Sequence, residues 1–386
     1  MRPVIIYGAG IHLAGAEQEA VDFAHKTGIP VAPTWGALDL FPSDDPLVIG
    51  SFGTHGTRAG NFAVQNATHI LSVGSRLDSK ATGTPIETFA REAQITMVDI
   101  DQREIDKFGS RVKGVCAHAK DWFKRSVPSD NNHPEWLAQI KRWKEKYPVV
   151  LPEYELEEGV NPYVFLRELS HVCEEGEIVV TDTGCAVAWV SQGWRWKKGQ
   201  RFIHAFNQTP MGYGLPAALG AFYATGKRVV LVTGDGSLMM SVGELATIAS
   251  KNLPIKIFMF NNQGHGMCRQ TEREWLGGKY CATGLPDLSF PKFRDWAAGC
   301  GRFISTCVID QSDYANEKRW ARRATMKECI EAQLGDVSST PTFTEVIVSP
   351  DADVIPKVKY GFPNEDGHPL LPREEFKEQM LISCVS

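Results

Sequence analysis

The chain has 386 residues, of which 43% are hydrophobic and 23% charged, enough for two or three cored domains of roughly 100 to 200 residues each. A formal net charge of −5, with no basic stripe, gives no electrostatic case for nucleic acid. No apolar stretch approaches the roughly 18 to 20 residues of a membrane span, and no signal-peptide pattern opens the chain, so the expectation is a cytoplasmic protein without a membrane partner. Nine cysteines without a C-x-x-C pair suggest reduced thiols rather than a zinc site or a disulfide framework.

In chain order, residues 3–7 read as a strand opening onto Gly8-Ala9-Gly10, followed by a helix to about Lys26 that ends at Gly28. Gly8, Gly10 and Gly15 are loop-like but do not keep the Gly-x-Gly-x-x-Gly spacing, so as a phosphate signal they are weak. Further strands are expected at residues 29–32, 69–73 and 95–100, with helical stretches between them. This alternation predicts a parallel sheet covered on both faces. The segment 127–134, rich in turn formers, interrupts it. A helix over about 135–146 follows, and Asn161-Pro162 then reads as N-cap and first helical residue.

The second half repeats the pattern. Residues 228–233 form a β-rich apolar run that ends at Gly234-Asp235-Gly236-Ser237. Residues 238–251 have helical spacing, and 255–260 are a second buried strand ending at Asn261-Asn262. The fold class expected is α/β, two three-layer α/β/α domains with mostly parallel sheets: residues 1–130, a linker over 131–160, a second domain over 161–350, and a tail over 351–386.

The chemistry sits in this strand–loop–helix–strand unit. Gly234 and Gly236 leave the backbone bare, so a phosphate can approach main-chain N–H groups and a helix start. Asp235 offers a hard anionic oxygen and Asn262 a neutral amide oxygen. Mg²⁺ wants about six oxygens at about 2.1 Å and takes several from phosphates and water. Both side chains lie where open parallel sheets bind ligands, at the carboxyl ends of adjacent strands. A Gly-Asp-Gly alone would be ordinary turn chemistry; the flanking elements turn it into a diphosphate-and-metal site.

Gly234-Asp235-Gly236-Ser237, the 24-residue interval and Asn261-Asn262-Gln263-Gly264-His265-Gly266-Met267 resemble the cofactor motif of thiamine diphosphate enzymes, most closely the large subunit of acetohydroxyacid (acetolactate) synthase. Residues 211–220 and 181–184, and the first third of the chain, resemble the same family. By that resemblance Asp235, Asn262 and the Gly264 carbonyl would hold Mg²⁺. Met211 would lie under the thiazolium ring, and the backbones of Gly184 and Met211 would touch the aminopyrimidine. Cys185, Ser237, Gly266 and Met267 complete the cofactor-binding set. Read alone, Met211 is ordinary core filler.

The resemblance makes residues 1–130 the central domain, which in these synthases carries structural FAD. Pieces of that pattern stand at Trp35, His55, residues 74–78 and 99–101, but Lys80 replaces the usual arginine and lacks its planar fork. FAD and a domain that keeps the fold without it both stay open. Two departures bear on the acceptor. Gly184-Cys185-Ala186 stands for Gly-Gln-His, and Thr271 stands for a pocket tryptophan, with Arg269 and Gln270 beside it, which would favour a polar acceptor.

In the family the glutamate that activates the cofactor lies on a separate pyrimidine-binding domain, for which no third α/β unit is found. No catalytic residue is therefore assigned in this chain, which should be a poor catalyst alone. Three readings follow. The first is part of a homo-oligomeric carboligase that, with a pyrimidine-binding domain or subunit, joins a 2-ketoacid, pyruvate first, to a carbonyl acceptor. The second is a decarboxylase without ligation, and the third a cofactor-binding or regulatory subunit. The tail would either cover the site or be solvated.

Overall fold

The computed structural model describes all residues except 129–132, 158, 302, 304, 311–324, 336–338 and 386. Part of the turn-rich stretch 127–134 therefore lies outside the described residues. The chain divides into two compact units, Met1–Val149 with Ile355–Ser386, and Val150–Val354.

The first unit holds a five-stranded sheet of β1 (Pro3–Tyr7), β2 (Val31–Pro33), β3 (His69–Val73), β4 (Gln94–Asp99) and β5 (Val112–Cys116), in the order β2-β1-β3-β4-β5 and parallel throughout. Alternate residues of β1 serve opposite faces, as strand pleating requires. Val4 and Ile6 join Phe62, Phe89 and Trp143 in one core cluster. Ile5 and Tyr7 join Ala20, Ala24 and Phe123 in another. The expected first helix is in fact two, Gly10–Leu13 and Glu17–Thr27, the second closed by Gly28 at φ 63°. Gly8 and Gly10 have a packing reason: a Cβ on Gly8 would strike the Gly74 carbonyl, and one on Gly10 would come within 2.7 Å of the Gly74 Cα. These glycines permit backbone contact between two loops and are no argument for a phosphate.

Residues 355–386 are built into this unit. Val358 N–H donates to the Thr54 carbonyl at 2.8 Å, and the Asn364 side chain donates to the Ala81 carbonyl at 2.8 Å. Phe376, on the helix Arg373–Gln379, packs with Phe62 in the core. The helix Pro134–Lys146 is equally integral, since Trp136, Ile140 and Trp143 are buried in the same cluster.

The second unit holds a six-stranded parallel sheet, order β10-β11-β9-β8-β6-β7, of β6 (Ile178–Thr181), β7 (Arg201–Ile203), β8 (Val229–Gly234), β9 (Ile255–Asn261), β10 (Ser305–Ile309) and β11 (Thr342–Ile347). Ile257 and Met259 of β9 face a cluster with Leu231, Leu245 and Phe343. Phe258 and Phe260 face the other way, against Phe165 and Trp189. Burial on both faces explains why the strand is a continuous apolar run rather than an alternating one. Asn161 caps the helix Pro162–Val172, accepting from the Tyr163 and Val164 N–H groups.

Candidate functional site

Helical spacing over 238–251 suggests one helix, but the structure has two. The first, Asp235–Ser241, starts directly at the end of β8, and the second is Glu244–Ser250. Asp235 is thus the first helical residue, 1% exposed. Its carboxylate accepts the N–H of Gly236 at 2.6 Å and of Gly264 at 3.2 Å. This ties the loop after β8 to the loop after β9. Burial pushes the Asp235 carboxyl up to about 7, against the opposing pull of backbone N–H groups from Gly236, Gly264, Gln263 and Asn262. A carboxylate so desolvated and held by amide dipoles is suited to a counter-ion. Among the described residues no group of three or more His, Cys, Asp and Glu is placed to hold a metal. A Mg²⁺ completed by diphosphate and water needs no such group.

The two asparagines have different positions. Asn261 ends β9 and its amide donates to Glu345 of β11 at 2.6 Å, while its oxygen accepts the Gln263 N–H at 3.0 Å. Gln263 is held at φ 55°, an uncommon conformation for a non-glycine residue. Successive side chains of a strand point to opposite faces, and Asn262 is buried against Gly266.

The glycines sort into two kinds. Gly184 and Gly234 look onto open space, with nothing within 4 Å of an added Cβ. Gly236, Gly264 and Gly266 are closed. A side chain at Gly236 would meet the His265 ring at 2.6 Å and the Met211 methyl at 3.3 Å, and one at Gly264 would strike the Thr283 carbonyl. One at Gly266 would meet the Asn262 amide and, at 3.2 Å, the Cys185 sulfur. These shared neighbours bring Met211, Gly236, Asn262, Gly264, Gly266 and Cys185 into one patch with Asp235. Ser237 is buried in the first turn after Asp235, and Met267 is half-buried in the first turn of the helix Gly266–Trp275. Cys185 opens the helix Cys185–Gly193 directly after Gly184, which has φ 72°.

His265 is a further residue of the patch, which the motif itself does not mark. Its ring lies on Gly236 beside Met211, and the only local signal for it was a glycine where a helix former would serve. Arg269 and Thr271 are engaged within the chain. Arg269 reaches Asp351 at 3.5 Å and stacks its guanidinium on Tyr280, and the Thr271 hydroxyl donates to the Met267 carbonyl at 2.9 Å. Gln270 is bonded to both the carbonyl and N–H of Val354.

In the first unit, Trp35, His55 and Lys80 gather. The Lys80 ammonium lies 5.2 Å from the Trp35 ring centre, and the Trp35 and His55 rings are 5.7 Å apart. His55 Nδ1 is 3.1 Å from the Thr54 hydroxyl, whereas its Nε2 is sealed from solvent without a hydrogen-bond partner among the described residues. Burial, reinforced by Lys357 and Lys80, pushes the His55 ring down to about 3. The folded value is below the ordinary one of about 6.5, so stability is full above pH 6.5 and falls as pH drops towards 3. At pH 5 this amounts to up to about 2 kcal/mol at 1.36 kcal/mol per pH unit. Urea midpoints at pH 7.5 and pH 5 should therefore differ less in His55→Phe than in the wild type by about that amount; parallel shifts in the two proteins would refute it.

Fold and patch define a class: a pair of parallel α/β units, the second carrying a glycine-lined buried carboxylate at the ends of adjacent strands. Residues 1–125 match the family "Thiamine pyrophosphate enzyme, central domain", and residues 182–332 match "Thiamine pyrophosphate enzyme, C-terminal TPP binding domain". Among curated proteins, the chain is 30% identical over 374 residues to "Acetolactate synthase 3, chloroplastic" of Brassica napus, covering 93% of this chain and 54% of that protein. It is 30% identical over 374 residues to "Acetolactate synthase, chloroplastic" of Arabidopsis thaliana, covering 93% and 53%. To "Acetolactate synthase large subunit" of Cyanidium caldarium it is 33% identical over 301 residues, covering 74% and 51%. The chain belongs to the thiamine pyrophosphate enzymes, of which it carries the central and C-terminal cofactor-binding domains in acetolactate synthase-like form. It spans about half the length of the curated relatives it matches. Among the described residues no helix is long and apolar enough to cross a membrane.

Proposed function

We propose that this chain is the diphosphate-holding part of a thiamine diphosphate- and Mg²⁺-dependent enzyme that decarboxylates a 2-ketoacid, pyruvate first, and passes the two-carbon unit to a carbonyl acceptor. The observation that carries it is the buried Asp235 carboxylate, joined to the loop after β9 through the Gly264 N–H and preceded by Gly234, which looks onto open space. Asp235, Asn262 and the Gly264 carbonyl would hold Mg²⁺. The bare loop at Gly234 and the N–H groups of the first turn after it would receive the diphosphate. Met211, 39% exposed and next to Gly236, would support the thiazolium ring. When bound, the cofactor supplies an electron sink for the carbanion left by decarboxylation. This chain's residues contribute binding and orientation. The proton transfer that activates the cofactor falls, in the family, to a glutamate on the pyrimidine-binding domain.

The expectation of a pyrimidine-binding domain or a second copy of the chain is supported by one apolar face of the second unit. The helix Gly214–Thr225 is apolar around its whole circumference, the mark of a helix meant to be covered. Yet Pro216, Gly220, Tyr223 and Ala224 are exposed, with Met240 nearby in the neighbouring helix. FAD enters the proposal as a ligand of the first unit, supported by the loops at Trp35, His55 and Arg76 to Lys80. A purified chain with flavin absorbance supports it; a colourless one leaves that unit a scaffold. Arg269 and Thr271, being engaged within the chain, add no support to a polar acceptor.

Calorimetric titration of the chain with thiamine diphosphate, with and without Mg²⁺, is the direct test, and saturable Mg²⁺-dependent binding is expected. Adding a pyrimidine-binding domain should then give acceptor-dependent carboligation of pyruvate. Free aldehyde formed without dependence on an acceptor would turn the reading to a simple decarboxylase. Absence of binding would leave a subunit without cofactor chemistry.

A further inference from the structure

Asp182 has a set of contacts that the cofactor motif does not explain. It follows β6 directly, is 2% exposed, and its backbone N–H donates to the Val232 carbonyl of β8 at 3.1 Å. Its carboxylate collects three backbone N–H groups. Oδ1 accepts from Thr183 at 2.8 Å and from Gly212 at 3.1 Å, and Oδ2 accepts from Gly214 at 2.6 Å. The first belongs to the loop that leads to Gly184. The other two flank the turn that follows Met211 and opens the helix Gly214–Thr225, whose N-cap Tyr213 makes no side-chain cap of its own. Gly214 has no room for a side chain because a Cβ there would lie 2.9 Å from Asp182 Oδ2. Gly212 is held at φ 85°, which a side-chain-bearing residue adopts only under strain.

We propose that Asp182 is a positioning residue that locks the loop before Gly184 to the loop carrying Met211, and so fixes where the Met211 side chain stands against Gly236. The physical logic is economical in parts. A carboxylate oxygen is a stronger acceptor for a backbone N–H than a neutral oxygen is. Here one of the three donors, Gly214, is the first residue of a 12-residue helix, where the first N–H groups lack partners and negative charge is favoured. One side chain therefore caps a helix from another strand and couples two loops of the same patch. Met is flexible and fills whatever space it is given, so a defined Met211 position has to be imposed by the backbone on which it stands.

The inference about binding rests on the cofactor reading, but its first readout does not. The full chain is labelled with ¹³C at methionine methyls, and the Met211 resonance is assigned by Met211→Leu. Asp182→Asn keeps the shape but turns an amide N–H₂ towards backbone donors; Asp182→Ala removes the acceptor. The Met211 methyl should shift and broaden in both variants, while that of Met259, buried in the core, stays. Ile257→Val, which loosens the same sheet, should lower Tm without moving Met211. Affinity for thiamine diphosphate in Mg²⁺ should fall at least tenfold in Asp182→Ala and several-fold in Asp182→Asn. If the alanine variant does not fold, the asparagine variant decides. An unchanged Met211 methyl in the folded variants overturns the proposal, as does equal movement in Ile257→Val. A wild-type chain that binds no cofactor overturns the cofactor reading instead, and the methyl result still decides the role of Asp182.

Discussion

Asp235→Ala is expected to remove Mg²⁺-dependent binding of thiamine diphosphate, with a loss of affinity of about a hundredfold or more, equivalent to about 2.7 kcal/mol. The carboxylate is the only anionic oxygen in the proposed donor set, and a hard divalent cation draws most of its attraction from such an oxygen. It also accepts from Gly236 and Gly264, so the alanine variant frees both loops. Asp235→Asn separates the two effects. It preserves the shape and removes the charge, so its fold should survive while binding is still lost. Burial already disfavours the anion, which is why the carboxyl is pushed up to about 7, and removing the charge should cost the folded chain little. Calorimetric titration beside a thermal melt checks both. Undiminished binding in a folded Asp235→Asn would remove the carboxylate from the site.

Glu365→Ala should give the largest loss of stability in the first unit, about 3 to 5 kcal/mol, the range for breaking one side of a buried ion pair. The Glu365 side chain is fully buried. It pairs with the Arg91 guanidinium at 2.7 Å and accepts from the Gln65 amide. Gln65 in turn accepts the Ala90 N–H at 2.7 Å. Removing the carboxylate leaves the partly buried Arg91 cation with a carbonyl, that of Ser383, and takes one of two acceptors from the buried Gln65 amide, which keeps the Thr88 carbonyl. Arg91→Ala alone should cost less than Glu365→Ala, because Gln65 still serves the carboxylate. The double variant should be less destabilised than the sum of the two, since no uncompensated charge remains. Urea midpoints of the four proteins measure this. Strict additivity would mean that the pair is not coupled.

The parallel strands were legible because burial on both faces writes them as unbroken apolar runs, and the sequence marks their ends with glycine, asparagine and aspartate. The cofactor motif was legible for the same reason, as its residues stand at strand ends within one short stretch. Other features were not. The break in the helix after Asp235 falls at Val242 and Gly243, which keep right-handed helical dihedrals, φ −56° and −58°, so the helical spacing runs through it without a mark. The glycines after β1 have a nucleotide-loop appearance, but their cause is a neighbour 64 residues on, Gly74 against Gly10, which no local pattern contains. Arg269 reads locally as a pocket cation, but Asp351 and Tyr280 engage it within the chain.

The amino-acid sequence by itself determined the alternation of strands and helices, the two α/β units, and the pairing of Asp235 with Asn262 at neighbouring strand ends. These depend on periodicity and on turn chemistry, which are local. Only the tertiary structure decided that Asp182 ties the Met211 loop to the Gly184 loop, that His265 lies on Gly236, that Asn261 fixes Glu345 while Asn262 faces Gly266, and that residues 355–386 complete the first unit. Apart from Asn262 with Gly266, each of these is a contact between segments far apart in the chain. Side-chain identity permits such a contact, but only the packing of the sheets brings the partners within reach.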